Sequence, residues 1–178
     1  RALYLHVPMW FTMIFLLLLS SYHSYMFVSK GGELHESKSY NYAHVGVYFG
    51  ILGLLTGMFW AKYTWGTYWT NDPKLNGSAI GLLIYFGYFI LRSSIEDESK
   101  KGKISSVYNV FAFSMLIPLI FILPRLTDSL HPGNGGNPGF NVYDMNSQLR
   151  LVFYPAVTGF IFLGLWISDL RLKMLKLK

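Results

Sequence analysis

Apolar runs of about 20 residues alternate along this chain with short polar, glycine-bearing or lysine-bearing segments. About 20 apolar residues in helix cross the roughly 30 Å hydrocarbon core of a bilayer, so each run reads as a membrane span. The runs fall at about 8–28, 42–61, 78–91, 104–123 and 150–168. The pattern predicts an all-α, polytopic membrane helix bundle, with residues 1–178 forming one integral-membrane domain of five spans. The third run is short and is expected to borrow residues from the loop before it. The first ends in SSYHSYMFVSK with no small-residue cleavage site, and it is too long for the apolar core of a signal peptide. Because the chain begins at Arg1 and not at Met, a further helix is expected upstream, which would make six.

Composition strengthens this picture. Charged residues make up 13% of the chain and hydrophobic ones 52%, with a mean hydropathy of +0.34. A soluble domain carries about twice that charged fraction. The formal net charge of +6 admits nucleic acid or anionic lipid as partners, but its distribution favours topology, and no nucleic-acid partner is expected. Segments 29–41 and 92–103 and the C-terminal tail hold ten Lys and Arg, against five on the other side. The positive-inside rule makes the ten-charge side cytoplasmic. Residues 62–77, the loop 124–149 and the N-terminal RALYLH then face outward. Cysteine is absent, which excludes disulfides, thiolate metal sites, thiol nucleophiles and covalent c-type haem attachment on this chain.

Glycines give the packing signal. Gly46, Gly50, Gly53 and Gly57 form one ridge on the second span, where another helix can approach closely, and Gly77 and Gly81 repeat the device at the start of the third. Pro118 and Pro124 are expected to kink or end the fourth span.

Five histidines stand out in so apolar a chain. His35 is expected to be solvated in a charged loop. His23 and His44 lie near the inner ends of the first two spans, where interhelical hydrogen bonding competes with ligand binding as their role. His6 and His131 lie at the outward side, in YLHVPMW and SLHPGNGG, and a nearby proline is expected to hold each in a helix-edge loop. The outward segment between them reads WGTYWTNDP. Its aromatics have an ordinary explanation, since Trp and Tyr favour the membrane interface. Spacings of 3 and 4 would also put Trp65, Tyr68 and Trp69 on one side of a helical turn, and Gly66 would let a flat partner approach. Two neutral imidazoles are a common axial pair for haem iron. Lys74, Arg125, Arg150 or Arg1 could meet the propionates. There is no phosphate loop, HExxH or nucleophile motif, so no catalytic residue is assigned and no enzyme is expected.

WGTYWTNDP also resembles the tryptophan-rich signature of the haem-handling proteins of cytochrome c biogenesis, the CcmC and CcsA group. Trp65, Gly66, Tyr68, Trp69 and Asp72 match that pattern, with Asn71 where a further tryptophan is usual. YLHVPMW, SLHPG and FGYFILRSSIEDES resemble CcmC segments, and the resemblance covers nearly the whole chain. It implies non-covalent, b-type haem binding on the outward face of a bacterial inner membrane, or of an organelle of bacterial descent. It implies His6 and His131 as axial ligands and Trp65, Gly66, Tyr68, Trp69 and Asp72 as the platform; Lys74 and Arg125 are the cations expected beside it from their charge alone. It further implies delivery to a membrane-tethered haem chaperone, with an ABC-type ATPase complex as partner. Asp72 itself is expected to accept backbone N–H bonds that fix the turn into Pro73, or to pair with Lys74 or Arg150. Two readings compete: a b-type cytochrome or respiratory anchor using His23 and His44, and a structural subunit whose aromatics are interface belts.

Overall fold

The computed structural model describes residues 3–131 and 145–176. Among them every regular element is helical: α1 (Leu3–Lys30), α2 (Glu33–Trp65), α3 (Pro73–Ser94), α4 (Glu98–Ile117), α5 (Leu123–Leu126) and α6 (Ser147–Lys176), with a π-helical turn (Pro118–Ile122) joining α4 to α5. Five helical stretches are long and apolar enough to cross a membrane, the fourth running from Glu98 to Leu126. The protein is thus an all-α, polytopic integral-membrane bundle.

The helices outrun the apolar stretches that mark them. The polar segment 29–41 is not a loop. Only Gly31 and Gly32 separate α1 from α2, and both take positive φ, 75° and 95°, which a side chain would resist. Residues 33–41 are helical because their polar groups find partners inside the bundle. Ser39 bonds Ser24 at 2.6 Å and Asn109 at 3.1 Å, Glu36 pairs with Arg92, and Asn41 accepts from Arg171 at 2.9 Å. Removed from water, such groups must bond within the protein. At the other end, α3 does take residues from the preceding loop, starting at Pro73 behind an Asp72 N-cap.

The core gathers Met13, Leu16 and Leu17 of α1, Val45, Val47 and Phe49 of α2, Leu82, Tyr85 and Tyr88 of α3, and Leu116 of α4. The glycine ridge of α2 is the seat of α1. A Cβ at Gly46 would lie 2.9 Å from Leu17, at Gly50 2.6 Å from Met13, at Gly53 3.1 Å from Trp10 and at Gly57 2.6 Å from His6. Along these pairs α1 descends by strides of 4, 3 and 4 residues as α2 climbs by the same strides, so the two helices run antiparallel in fixed register. Gly77 does the same for the π turn, where a Cβ would lie 2.3 Å from the Leu119 carbonyl oxygen. Pro118 does not end the fourth span. It lacks an N–H to donate, the helix widens into a π turn there, and the chain continues to Leu126.

Candidate functional site

One end of the bundle brings together the N-terminal turns of α1, the C-terminal turns of α2, the start of α3, α5 and the segment leading to His131. Between them lies a cavity of about 360 Å³, lined chiefly by apolar side chains and by His6, Trp10, Trp60, Lys74, Arg125 and His131. Ligand sites are typically cavities of this size, mostly apolar with a few convergent polar groups.

His6 does not sit in a loop. It lies within α1, and Pro8 stands about one turn into that helix without ending it. Its Nδ1 is 2.8 Å from the Gly53 carbonyl oxygen and 3.3 Å from the Thr56 hydroxyl. A carbonyl can only accept, so Nδ1 carries the proton and Nε2 is left with its lone pair. The ring rests on Gly57, where no Cβ stands in its way. The last glycine of the packing ridge therefore seats a polar side chain of the cavity, a role its spacing alone did not reveal.

His131 is fixed differently. Its Nδ1 lies 2.8 Å from Oδ1 of Asp72, a carboxylate whose side chain is 1% exposed. The same oxygen accepts from the backbone N–H groups of Lys74 at 2.9 Å and Leu75 at 3.2 Å, capping α3. The second oxygen accepts from the Ser129 hydroxyl and the Leu130 N–H, both at 2.8 Å. Asp72 thus fixes the turn into Pro73 by accepting N–H bonds, as expected. Its side-chain partner at His131 is the Nδ1–H of the imidazole, and Arg150 donates to the Met145 carbonyl at 2.8 Å. Burial pushes the Asp72 carboxyl up, but the Leu130 N–H, the Ser129 hydroxyl, His131 and the Leu75 N–H outweigh it and hold the group below 3.8. Burial pushes the His131 imidazole below 6.5 against the opposing pull of Asp72. An ionised carboxylate faces a neutral imidazole that donates from Nδ1, and Nε2 is again left as a lone-pair donor. Neither histidine's Nε2 has a hydrogen bond among the described residues.

The aromatic segment is not one platform. Trp65 is the last residue of α2, and Gly66 caps the helix with φ 79°, so Trp65, Tyr68 and Trp69 share no helical turn. Trp65 packs edge-on against His131, centroids 4.8 Å apart, and against Trp60 at 5.0 Å. Tyr68 meets Phe59 edge-on, with the Lys62 ammonium 5.5 Å from its ring. Trp69 donates to Asn76 at 3.2 Å and is 39% exposed. Of the residues singled out from sequence, His6, His131, Lys74 and Arg125 line the cavity, Asp72 and Trp65 stand behind His131, and Gly66, Tyr68 and Trp69 are exposed and do not line it. Trp10 and Trp60 line the cavity and were missed, because inside apolar runs they read as span residues. Arg1 and Pro132 lie outside the described residues.

The histidines at the opposite end do not meet as a pair. His23 bonds His35 through their Nδ1 atoms at 2.9 Å and stacks on Tyr42 at 5.8 Å. His44 lies against Phe89 at 4.4 Å and Tyr40 at 4.6 Å. His35 is accordingly no solvated loop residue; it is half-buried on α2 and bonded to His23. No group of three or more His, Cys, Asp or Glu fit to hold a metal occurs among the described residues.

Fold and site together define a polytopic membrane helix bundle with an apolar cavity at one end, entered by two imidazoles and two cations. The chain belongs to the heme exporter protein C (CcmC) family, whose profile matches residues 1–177. It is 26% identical to heme exporter protein C of Haemophilus influenzae over 140 residues, covering 76% of this chain and 54% of that protein. The figures for the Bradyrhizobium diazoefficiens protein of the same name are 27% over 135 residues, 75% and 51%. For the Escherichia coli K12 protein they are 26% over 182 aligned positions, 98% and 69%. The chain spans about half the length of the first two.

Proposed function

We propose that this protein binds haem as cargo in the cavity beneath the WGTYWTNDP segment, with His6 and His131 as axial ligands, and passes it on for cytochrome c maturation. The observation that carries this reading is the matched preparation of the two imidazoles. Each gives its Nδ1 proton to a protein acceptor, each keeps a lone pair on Nε2, and both residues line one apolar cavity. Neutral imidazole in that tautomer is what an iron ligand requires. The donor set fits haem in its other parts too. Trp10 and Trp60 supply flat apolar walls, and Lys74 and Arg125 supply cations for propionates. Trp65 buttresses His131, while Gly66, Tyr68 and Trp69 form the rim from which haem is presented.

On this reading the cavity end faces outward from the inner membrane, an orientation that the lysine and arginine bias supports. There a membrane-tethered haem chaperone is the recipient, and ABC-type ATPase and permease subunits are the partners that drive its release. The cytochrome alternative loses its motive, since His23 and His44 face different neighbours.

An absorption spectrum of the detergent-purified chain, titrated with haem, tests the reading. A Soret band of low-spin character is expected, reduced at least tenfold in apparent affinity by His6→Ala and by His131→Ala. Unchanged haem content in both single variants would sink it.

A further inference from the structure

We infer that the two ligands are unequal, with His131 the fixed and strongly donating one and His6 the one that lets go first when haem is handed on. The inference rests on the haem reading above and concerns what stands behind each imidazole.

Behind His131 stands an anion. A carboxylate that accepts the Nδ1–H draws the proton toward itself and raises the electron density at Nε2, which makes the ring a stronger donor to a metal. Asp72 also cross-ties the segment that bears the ligand. Through one oxygen it holds Ser129 and Leu130, through the other the first turn of α3. Removing His131 from an iron would require dragging a chain that is bonded to a helix terminus.

Behind His6 stands a neutral amide. The Gly53 carbonyl accepts from Nδ1 at 2.8 Å, and the Thr56 hydroxyl, 3.0 Å from the same oxygen, lies closer to the Leu52 carbonyl at 2.8 Å. No charge reinforces this side, and a neutral acceptor polarises the imidazole less than a carboxylate does. The ring rests on Gly57, which offers no side chain to lock it, and meets Trp10 edge-on only at a centroid distance of 6.2 Å, against 4.8 Å from His131 to Trp65. A ferric porphyrin core bears net positive charge, so the Asp72 side favours the ferric state more than the Gly53 side. The first bond to exchange with an incoming ligand from a recipient is therefore that to His6. Asp72 acts here through His131 and is a positioning residue.

The test uses the full chain, haem-loaded in detergent, with the ferric/ferrous midpoint potential as readout. Asp72→Asn keeps a good N-cap for α3 but removes the charge. It is expected to raise the potential, each tenfold loss of ferric preference reading as about 59 mV. His131→Gly is expected to cost at least tenfold more haem affinity than His6→Gly. Should Asp72→Asn fail to fold, the unmodified loaded chain answers by itself. Added imidazole should replace the two histidines in two separated steps, and the first step should be missing from His6→Gly. An unmoved potential in Asp72→Asn, equal losses in the two glycine variants, or a single replacement step would each overturn the inequality while haem binding stands. A wild-type chain that takes up no haem would overturn the underlying reading as well.

Discussion

Gly57 joins the packing of the bundle to the chemistry of the cavity, and Gly57→Ala separates the two. A Cβ there would lie 2.6 Å from His6 Cε1, 3.2 Å from Nδ1 and 3.5 Å from Nε2. Carbon atoms in contact sit at about 3.5–4.0 Å, so the ring must move by about 1 Å. Overpacking of this kind costs about 1–3 kcal/mol. Alanine recovers about 1 kcal/mol relative to glycine in a helix, which leaves a net loss of about 0–2 kcal/mol. The consequence for the site is larger. A 1 Å shift breaks the 2.8 Å bond to Gly53 and re-aims Nε2, so haem affinity should fall at least tenfold, about 1.4 kcal/mol. Gly159→Ala is the control, since a Cβ at that position meets nothing within 4 Å, and both haem affinity and fold should survive. Thermal unfolding of the detergent-purified protein reads the first effect and an absorbance titration with haem reads the second. Wild-type affinity together with a wild-type spectrum in Gly57→Ala would refute the argument.

Gly77→Ala should destabilise far more than Gly57→Ala, because its Cβ would meet the backbone oxygen of Leu119 at 2.3 Å and not the end of a side chain; a comparable melting temperature for the two variants would contradict this. Acid should loosen the His131 segment in a defined window. The folded imidazole is held below 6.5, so as pH falls through 6.5 the unfolded chain takes up a proton that the folded one refuses, and stability drops. The Asp72 contribution persists until pH falls through 3.8 and on to its lower folded value; thermal unfolding between pH 7.5 and 5 should lose part of its pH dependence in His131→Gln, and identical curves would count against the assignment. For topology, Cys placed at the exposed positions Thr67 and Ser99 should react with a membrane-impermeant reagent from outside and inside respectively, with the reverse pattern inverting the proposed haem face.

The fold was legible where physics acts on runs of residues, and illegible where it acts through partners. Five apolar stretches were enough to count the membrane spans, because length against bilayer thickness needs no tertiary information. Residues 33–41 were misjudged because their polarity has no local signature of burial. Glu36, Ser39 and Asn41 are helical and inside because Arg92, Asn109 and Arg171 await them from 56, 70 and 130 residues away. The site followed the same division. His6, His131 and Asp72 could be named from their types and their motif. That Asp72 serves His131 could not, since the two lie 59 residues apart. The spacing argument for Trp65, Tyr68 and Trp69 failed at Gly66, whose positive φ ends the helix before the turn that would have aligned them. A usable signal for the missing contacts was present. The glycine strides on α2, laid antiparallel on α1, bring Gly53 to Trp10 and Gly57 to His6.

The two ends of the bundle handle polar groups in opposite ways, and the difference is where function separates from stability. At the end holding Arg92, the guanidinium donates to Ser105 at 2.8 Å, pairs with Glu36 and lies 4.5 Å from the Tyr40 ring. Ser20, Ser24, Ser39 and Asn109 bond one another there. Such groups face inward and bond chiefly to other helices, Asn109 Oδ1 being left without a partner, and these bonds fix how the helices pack. At the cavity end the protein uses one nitrogen of each imidazole and withholds the other. An unfilled apolar cavity forgoes the packing contacts its lining would otherwise make, and a bundle selected for stability alone would have filled it with apolar side chains. On the proposed reading, haem from outside completes the arrangement. Filling the cavity should therefore stabilise the empty chain while abolishing haem uptake. Ser78→Leu, which adds apolar volume at the lining without touching either histidine's hydrogen bonds, is expected to raise the melting temperature of the haem-free protein and lower its haem affinity at least tenfold. A variant that gains stability yet still takes up haem normally would show that the cavity is not where the cargo sits.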